Sequence, residues 1–294
     1  QYLFYHPSLL RKKAERRKAL NHIVNETGDE TITDTLKGIG QDFPRNEYSL
    51  TLLAEKFSSF YKPEMTPNER LTALIKAAVE LTTQEAPDWE FIAARLLNFQ
   101  LGKKLTEQAE FAGVLSFYEK LRYLTDEGLY GSYILASYSP EEIEEAAGFI
   151  CPERDKLFNY SGLDLLVKRY LIRTRSHEPI ESVQEMYLGI ALHLAMPERH
   201  NRLQWVRKFY DLLSKLEVTM ATLHLPMPEN LIINCPVASS TPCPTVWKVY
   251  TEALTTSPWS ASSVEVWECI SAKYVRPVEI YGVSKVWQEE LSGG

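Results

Sequence analysis

Cysteine is scarce in this chain, with four in 294 residues, no CxxC pair, and Cys235 and Cys243 eight apart. That excludes a disulfide framework and offers no zinc-ligand spacing. No apolar run is long enough to cross a bilayer. The opening residues, QYLFYHPSLLRKK, place their charges after the apolar residues, the reverse of a secretory leader, so the cytoplasm is the expected compartment. Gly/Ser linkers, low-complexity tracts and a fixed internal period are absent as well, which sets aside a solenoid. A positive balance is also missing: 32 Lys and Arg against 39 Asp and Glu leave a charge of −7, and neither DNA nor membrane binding is expected. The one basic run, Arg11 to Lys18 (RKKAERRK), reads as a solvated helix face ahead of a phosphate-binding patch.

What is present is enough apolar residue for a real core, 45% of the chain, with 24% charged residues to keep it soluble. Helix formers run from Ser8 to about Asn25 and stop at Gly28, and a short amphipathic helix is expected from Glu30 to about Ile39. Leu50, Leu53, Ala54, Phe57 and Phe60 share a face of a helix that ends before Pro63. Thr66, Pro67 and Glu69 supply the cap, first-turn proline and acidic first turn of the next helix, whose stripe is Leu71, Leu74, Ile75, Ala78 and Leu81. Ala86-Pro87-Asp88 opens another, with Trp89, Ile92, Ala93, Leu96, Leu97 and Leu101 at helical spacing until Gly102 and Lys103.

A long helix is then expected through Phe111, Val114, Leu115, Tyr118, Leu121 and Leu124 to Gly128. Shorter ones follow from Ser139 to Ala147, Val183 to Leu194 and Arg202 to Leu216. The expected core includes Leu74, Ile75, Ala78, Ile92, Leu96, Leu115, Leu166, Leu192, Phe209 and Leu212. After Thr222 the character changes. Residues 223–294 hold four of the six Trp (247, 259, 267 and 287) and three of the four Cys, with no clean period of 3.6 or 2.

Three segments carry a resemblance: LIKAAVELTTQEAPDWEFIAARLLNFQL (Leu74 to Leu101), PERDKLFNYSGLDLLVKRYLIR (Pro152 to Arg173) and RLQWVRKFYDLLSKLEVTMAT (Arg202 to Thr222). In order and spacing they resemble the N-terminal helical domain of the large (α) subunit of ribonucleotide reductase, over most of residues 47–222. The resemblance implies a mainly α fold that stops before the family's α/β barrel, because that family continues from A-T into a PT segment and a QLSSC strand. Here Leu223-His224-Leu225-Pro226 follows instead.

Read one base out of frame, with the third base of each codon taken as the first of the next, the tail regains the family's residues. Pro228 to Cys235 can encode R-K-P-Y-H-Q-L and Pro236 to Ser240 can supply S-S-C-F. Glu265 to Lys273 can read G-V-G-M-Y-F-G-K, and Ile280 to Glu290 can read I-R-G-F-K-G-V-A-G-G. Shifted GGN codons also yield Trp, Val and Glu, which accounts for the composition. Loss of one C at a Thr-Pro junction such as ACC-CCT would suffice. The expected organisation is an N-terminal helical extension over 1–46 without a recognisable ATP cone, the helical domain over 47–222, and an out-of-frame, irregular tail over 223–294. In that tail at least two of the four Trp should be exposed.

The resemblance implies reduction of a ribonucleoside diphosphate by radical chemistry, using a thiyl radical, a reducing cysteine pair and a carboxylate base. It implies a radical-generating, metal-containing β subunit as partner and ATP or dNTP effectors, with no cofactor or metal held by this chain. Thr222 matches the threonine whose backbone and hydroxyl contact the substrate phosphate. Thr66 and Lys103 align with positions that close the ATP-cone effector site, although Thr66 already serves as a cap and Lys103 sits where a helix C-terminus favours cations. No catalytic residue is expected in frame: the reducing cysteine is written only in the other frame, and Cys235, Cys243 and Cys269 are not candidates. Two alternatives stay open, a cobalamin-dependent reductase of the same superfamily and a non-catalytic helical binding or adaptor module.

Overall fold

The structure, a computed structural model, describes residues 7–112 and 116–218. Among these, α-helices and two short 3-10 turns form the architecture, and the one β feature is an isolated antiparallel bridge, Arg173 to Pro179. Helix α1 (Pro7–Thr27) ends where Gly28 turns the chain at φ +69°. Asp29 then accepts the Thr31 N–H at 3.0 Å, an Asx turn that delays α2 (Ile32–Asp42) by two residues against the expected start. Helix α3 (Leu50–Ser58) is capped by Ser49 and buries Leu50, Leu53, Ala54 and Phe57, while Phe60 packs half-buried beyond its end.

At α4 (Pro67–Glu80) the expected start is present as a full capping box between Thr66 and Glu69, with Pro67 in the first turn. Helix α5 (Trp89–Ala112) differs from expectation, for it runs straight through Gly102 and Lys103. A mid-helix glycine costs only about 1 kcal/mol. Beyond it Leu105 packs against the core and Lys104 pairs with Glu178, which outweighs that cost. The second break comes later. The long helix expected through Phe111 and Leu124 is instead the end of α5 and a separate α6 (Phe117–Asp126), opened by a Ser116–Glu119 capping box.

Helix α7 (Tyr133–Ser137) has no expected counterpart, whereas α8 (Pro140–Ala147) starts at the foreseen Ser139 cap. A 3-10 turn (Pro152–Leu157) and α9 (Tyr160–Arg169), capped by Asn159, lie within the second resembling segment. Helices α10 (Val183–Ala195) and α11 (Arg202–Ser214) then pair closely. Helix α10 is buried nearly all round, as befits a central helix.

One cluster joins the buried faces of α1 to α5 with Leu163, Leu171, Val183, Met186, Ile190 and Leu213. Of the expected core, Leu74, Ile75, Ala78, Ile92, Leu96, Leu192 and Phe209 are buried. Leu166 and Leu212 are only half-buried, a correction with a geometric cause in α11. There the face on α10 runs Val206, Phe209, Tyr210, Leu213, one residue out of phase with Leu212. Leu115, Thr222, the four Trp of the tail and the whole of 223–294 lie outside the described residues.

Candidate functional site

Thr66 caps α4 and Lys103 of α5 reaches the α1–α2 turn, and each is engaged within the chain. The Thr66 hydroxyl accepts the Glu69 N–H at 3.3 Å and donates to Glu69 Oε2 at 2.8 Å, while the Thr66 N–H donates to the same oxygen at 2.7 Å. Those bonds hold the Glu69 carboxyl below its ordinary value. Lys103 is not at a helix end but mid-α5, where its Nζ donates to Asp29 Oδ2 at 2.5 Å. Burial alone would raise the Asp29 carboxyl, yet the bonds from Lys103 and Thr31 overcome it and leave the group below the usual carboxylate range. Arg70 completes the turn by donating to the Glu26 and Met65 carbonyls. Nothing in the sequence named Asp29 as the partner of Lys103, since the two are 74 residues apart.

Toward its carboxyl end the domain carries a second polar assembly, on the elements that lead to Thr222. Gln184, almost wholly buried in α10, donates to Asp155 Oδ1 at 2.7 Å and accepts the Tyr210 hydroxyl at 2.6 Å. Asn98 of α5 donates to the other Asp155 oxygen at 3.1 Å. Burial raises the Asp155 carboxyl against both of these bonds. Tyr210 in turn accepts the Cys151 N–H at 2.8 Å, and Arg154 reaches Asp211 at 2.7 Å and Ser214 at 2.5 Å. Each member has a partner, so the network locks α5, the 152–157 turn, α10 and α11 in one register.

A third group lies between α10 and the chain around α6 and α7. Glu181 is buried just ahead of the Ser182 cap of α10, and Tyr130 is buried with no hydrogen-bond partner for its hydroxyl. Burial pushes the Tyr130 hydroxyl well above its ordinary value. The buried Nδ1 of His193 also lacks a partner, and burial lowers that imidazole. No signal in the sequence singled out these residues. Among the described residues no group of three or more His, Cys, Asp or Glu is placed to hold a metal ion, and no helix is long and apolar enough to cross a membrane.

The family model "Ribonucleotide reductase, all-alpha domain" matches residues 156–225, which take in α9, α10, α11 and the end of the polar network. The chain is 52% identical over 210 residues to the ribonucleoside-diphosphate reductase subunit alpha of Treponema pallidum, covering 71% of this chain and 25% of that protein. It is 34% identical over 151 residues to the ribonucleoside-diphosphate reductase 1 subunit alpha of Escherichia coli, covering 51% and 19%. The subunit alpha of bacteriophage T4 is 33% identical over 171 residues, covering 58% and 22%. The chain therefore spans about a quarter or less of the length of these relatives. All-helical architecture and the ordered segments agree with these matches: the helical domain is the N-terminal, all-alpha domain of a ribonucleotide reductase large subunit.

Proposed function

We propose that the chain is the N-terminal part of a ribonucleoside-diphosphate reductase α subunit, whose intact form reduces ribonucleoside diphosphates to deoxyribonucleotides. A radical-generating β subunit is its partner, and the cytoplasm is its compartment. The observation that carries this reading is the 52% identity over 210 residues to an α subunit. Thr222 is assigned to the substrate phosphate. A hydroxyl and a backbone N–H give an uncharged donor pair there, suited to an oxyanion without demanding a compensating charge. Thr66 and Lys103 remain effector-site positions by alignment alone, and their internal partners, Glu69 and Asp29, favour structural roles.

The same proposal includes the frame of the tail. Residues 223–294 are an out-of-frame translation, and the polypeptide as written does not reduce ribonucleotides, because its QLSSC cysteine is encoded only in the other frame. What supports this is the regained family sequence on both sides of fixed Trp codons. Sequencing the source DNA across the Thr222 codon tests it: one additional base should join both halves into a single open frame. A confirmed uninterrupted frame for the present tail sinks the out-of-frame reading and leaves the domain assignment standing.

A further inference from the structure

Between α9 and α10 the chain doubles back as a short hairpin over residues 172–181. Its rungs are the Arg173–Pro179 bridge, the Thr174 N–H donating to Glu178 O at 2.8 Å, and the Ile180 N–H donating to Ile172 O at 3.0 Å. The closing rung is different in kind. The Ile172 N–H donates 2.8 Å to Oε1 of Glu181, a side chain with 6% exposure. A carboxyl thus stands where a backbone carbonyl would otherwise finish the ladder.

We infer that this hairpin is a proton-operated clasp, held shut by the uncharged Glu181 carboxyl and released when that carboxyl ionises. An ionised carboxylate in so buried a position needs a bonded cation, since desolvating a lone charge is costly. The cation on this side is already taken: Lys120 of α6 bonds Glu185 of α10 at 2.5 Å, and Glu185 also accepts the Ser182 N–H in its capping box. Tyr130, from the chain after α6, faces Glu181 but is itself buried and held neutral. On the hairpin, Arg173 donates to the His177 and Val167 carbonyls, and Glu178 is paired with Lys104 of α5. No other described cation bonds Glu181.

The electrostatics agree with this geometry. Burial pushes Glu181 up to about 8; the Ile172 N–H and Lys120 act against the rise, and Glu185 adds to it. In the open hairpin the group regains an ordinary carboxyl value, near 4.5. The closed form therefore holds the proton more tightly, and closure weakens as pH rises from the open value toward the closed one. Over that window the open fraction grows by up to about tenfold per pH unit, then levels off above about 8. Opening also parts Lys104 from Glu178, so the hairpin and α5 respond together.

Hydrogen exchange on the full chain tests this, with rates corrected for the intrinsic pH dependence of exchange. Between pH 5 and 8 the protection of peptides covering 171–182 should fall several-fold per unit, while the buried α10 segment 186–192 keeps its protection. Glu181→Gln, which keeps the acceptor and cannot ionise, should flatten the profile. Equal loss of protection in α10, a flat wild-type profile, or an unchanged slope in the variant each overturns the clasp. Should the variant fail to fold, carbon-13 NMR of the wild-type Glu181 carboxyl decides. A midpoint near 8 supports the clasp, and an ordinary carboxyl midpoint overturns it.

Discussion

At Asp29, burial and hydrogen bonding pull the carboxyl in opposite directions, and the bonds from Lys103 and Thr31 win. Because the folded value lies below the unfolded one, the stabilisation is present above the ordinary carboxylate value and is lost as pH falls through the folded value. Lys103→Met should therefore lower stability near neutrality by about 1–2 kcal/mol, discounted because the lysine is partly exposed, and the deficit should shrink as pH falls below the ordinary carboxylate value of 3.8. Urea unfolding on either side of that value checks this. Tyr130 and Tyr138 make a second contrast between residues of one type. The Tyr138 hydroxyl donates to Leu192 O at 2.7 Å, whereas that of Tyr130 is buried without a partner. Tyr138→Phe should cost about 1 kcal/mol, and Tyr130→Phe should be neutral or stabilising, because only the first forfeits a made bond. A loss in Tyr130→Phe as large as that in Tyr138→Phe would show that the hydroxyl has a partner after all.

Helix starts were legible in the sequence where a side chain performs the capping. Thr66 and Ser139 each cap a helix through a box with an acid three residues on. The stop expected at Gly102 was not one, because whether a glycine ends a helix depends on what packs beyond it. Ser116, three residues before Glu119, carried the true signal and lay inside an apolar stripe that masked it. A methyl group added at Gly102 would meet nothing within 4 Å, so Gly102→Ala should stabilise the domain by about 0.5–1 kcal/mol through a less flexible unfolded chain. Ser116→Ala should cost about 1 kcal/mol by leaving helix-end N–H groups without their acceptor. Thermal unfolding of the two variants gives shifts of opposite sign if α5 and α6 are divided in this way. Of the candidate positions, Thr66 was readable as a cap, whereas the bond of Lys103 to Asp29 depends on a long-range approach that no local pattern encodes.

For the whole molecule, the helical domain and the tail answer to different constraints. Through α1 to α11 the apolar periods, caps and buried bonds agree with one another, the mark of a sequence selected to fold. The tail shows no such period, and we read it as an out-of-frame translation because its shifted frame can encode the residues of the family's QLSSC strand. Tryptophan has a single codon, so the shifted reading has little freedom at Trp267 and Trp287, which lie inside the matched stretches, and chance agreement is a poor account of it. The consequence for activity is direct. On the proposed out-of-frame reading, the cysteine pair that would supply electrons to a ribonucleotide has no QLSSC member in this chain, so no disulfide can close. Supplied with a β subunit, a ribonucleoside diphosphate and a thiol reductant, the chain as written should yield no deoxynucleotide above background. Restoring one C at the Thr222 junction should return the QLSSC cysteine to the open frame, and turnover should follow only where the rest of an α subunit's length is translated behind it, since this chain covers 25% of the Treponema pallidum relative. Product from the unrestored chain would mean that the tail is translated in its working frame, and that the resemblance of the other frame is a coincidence of codons.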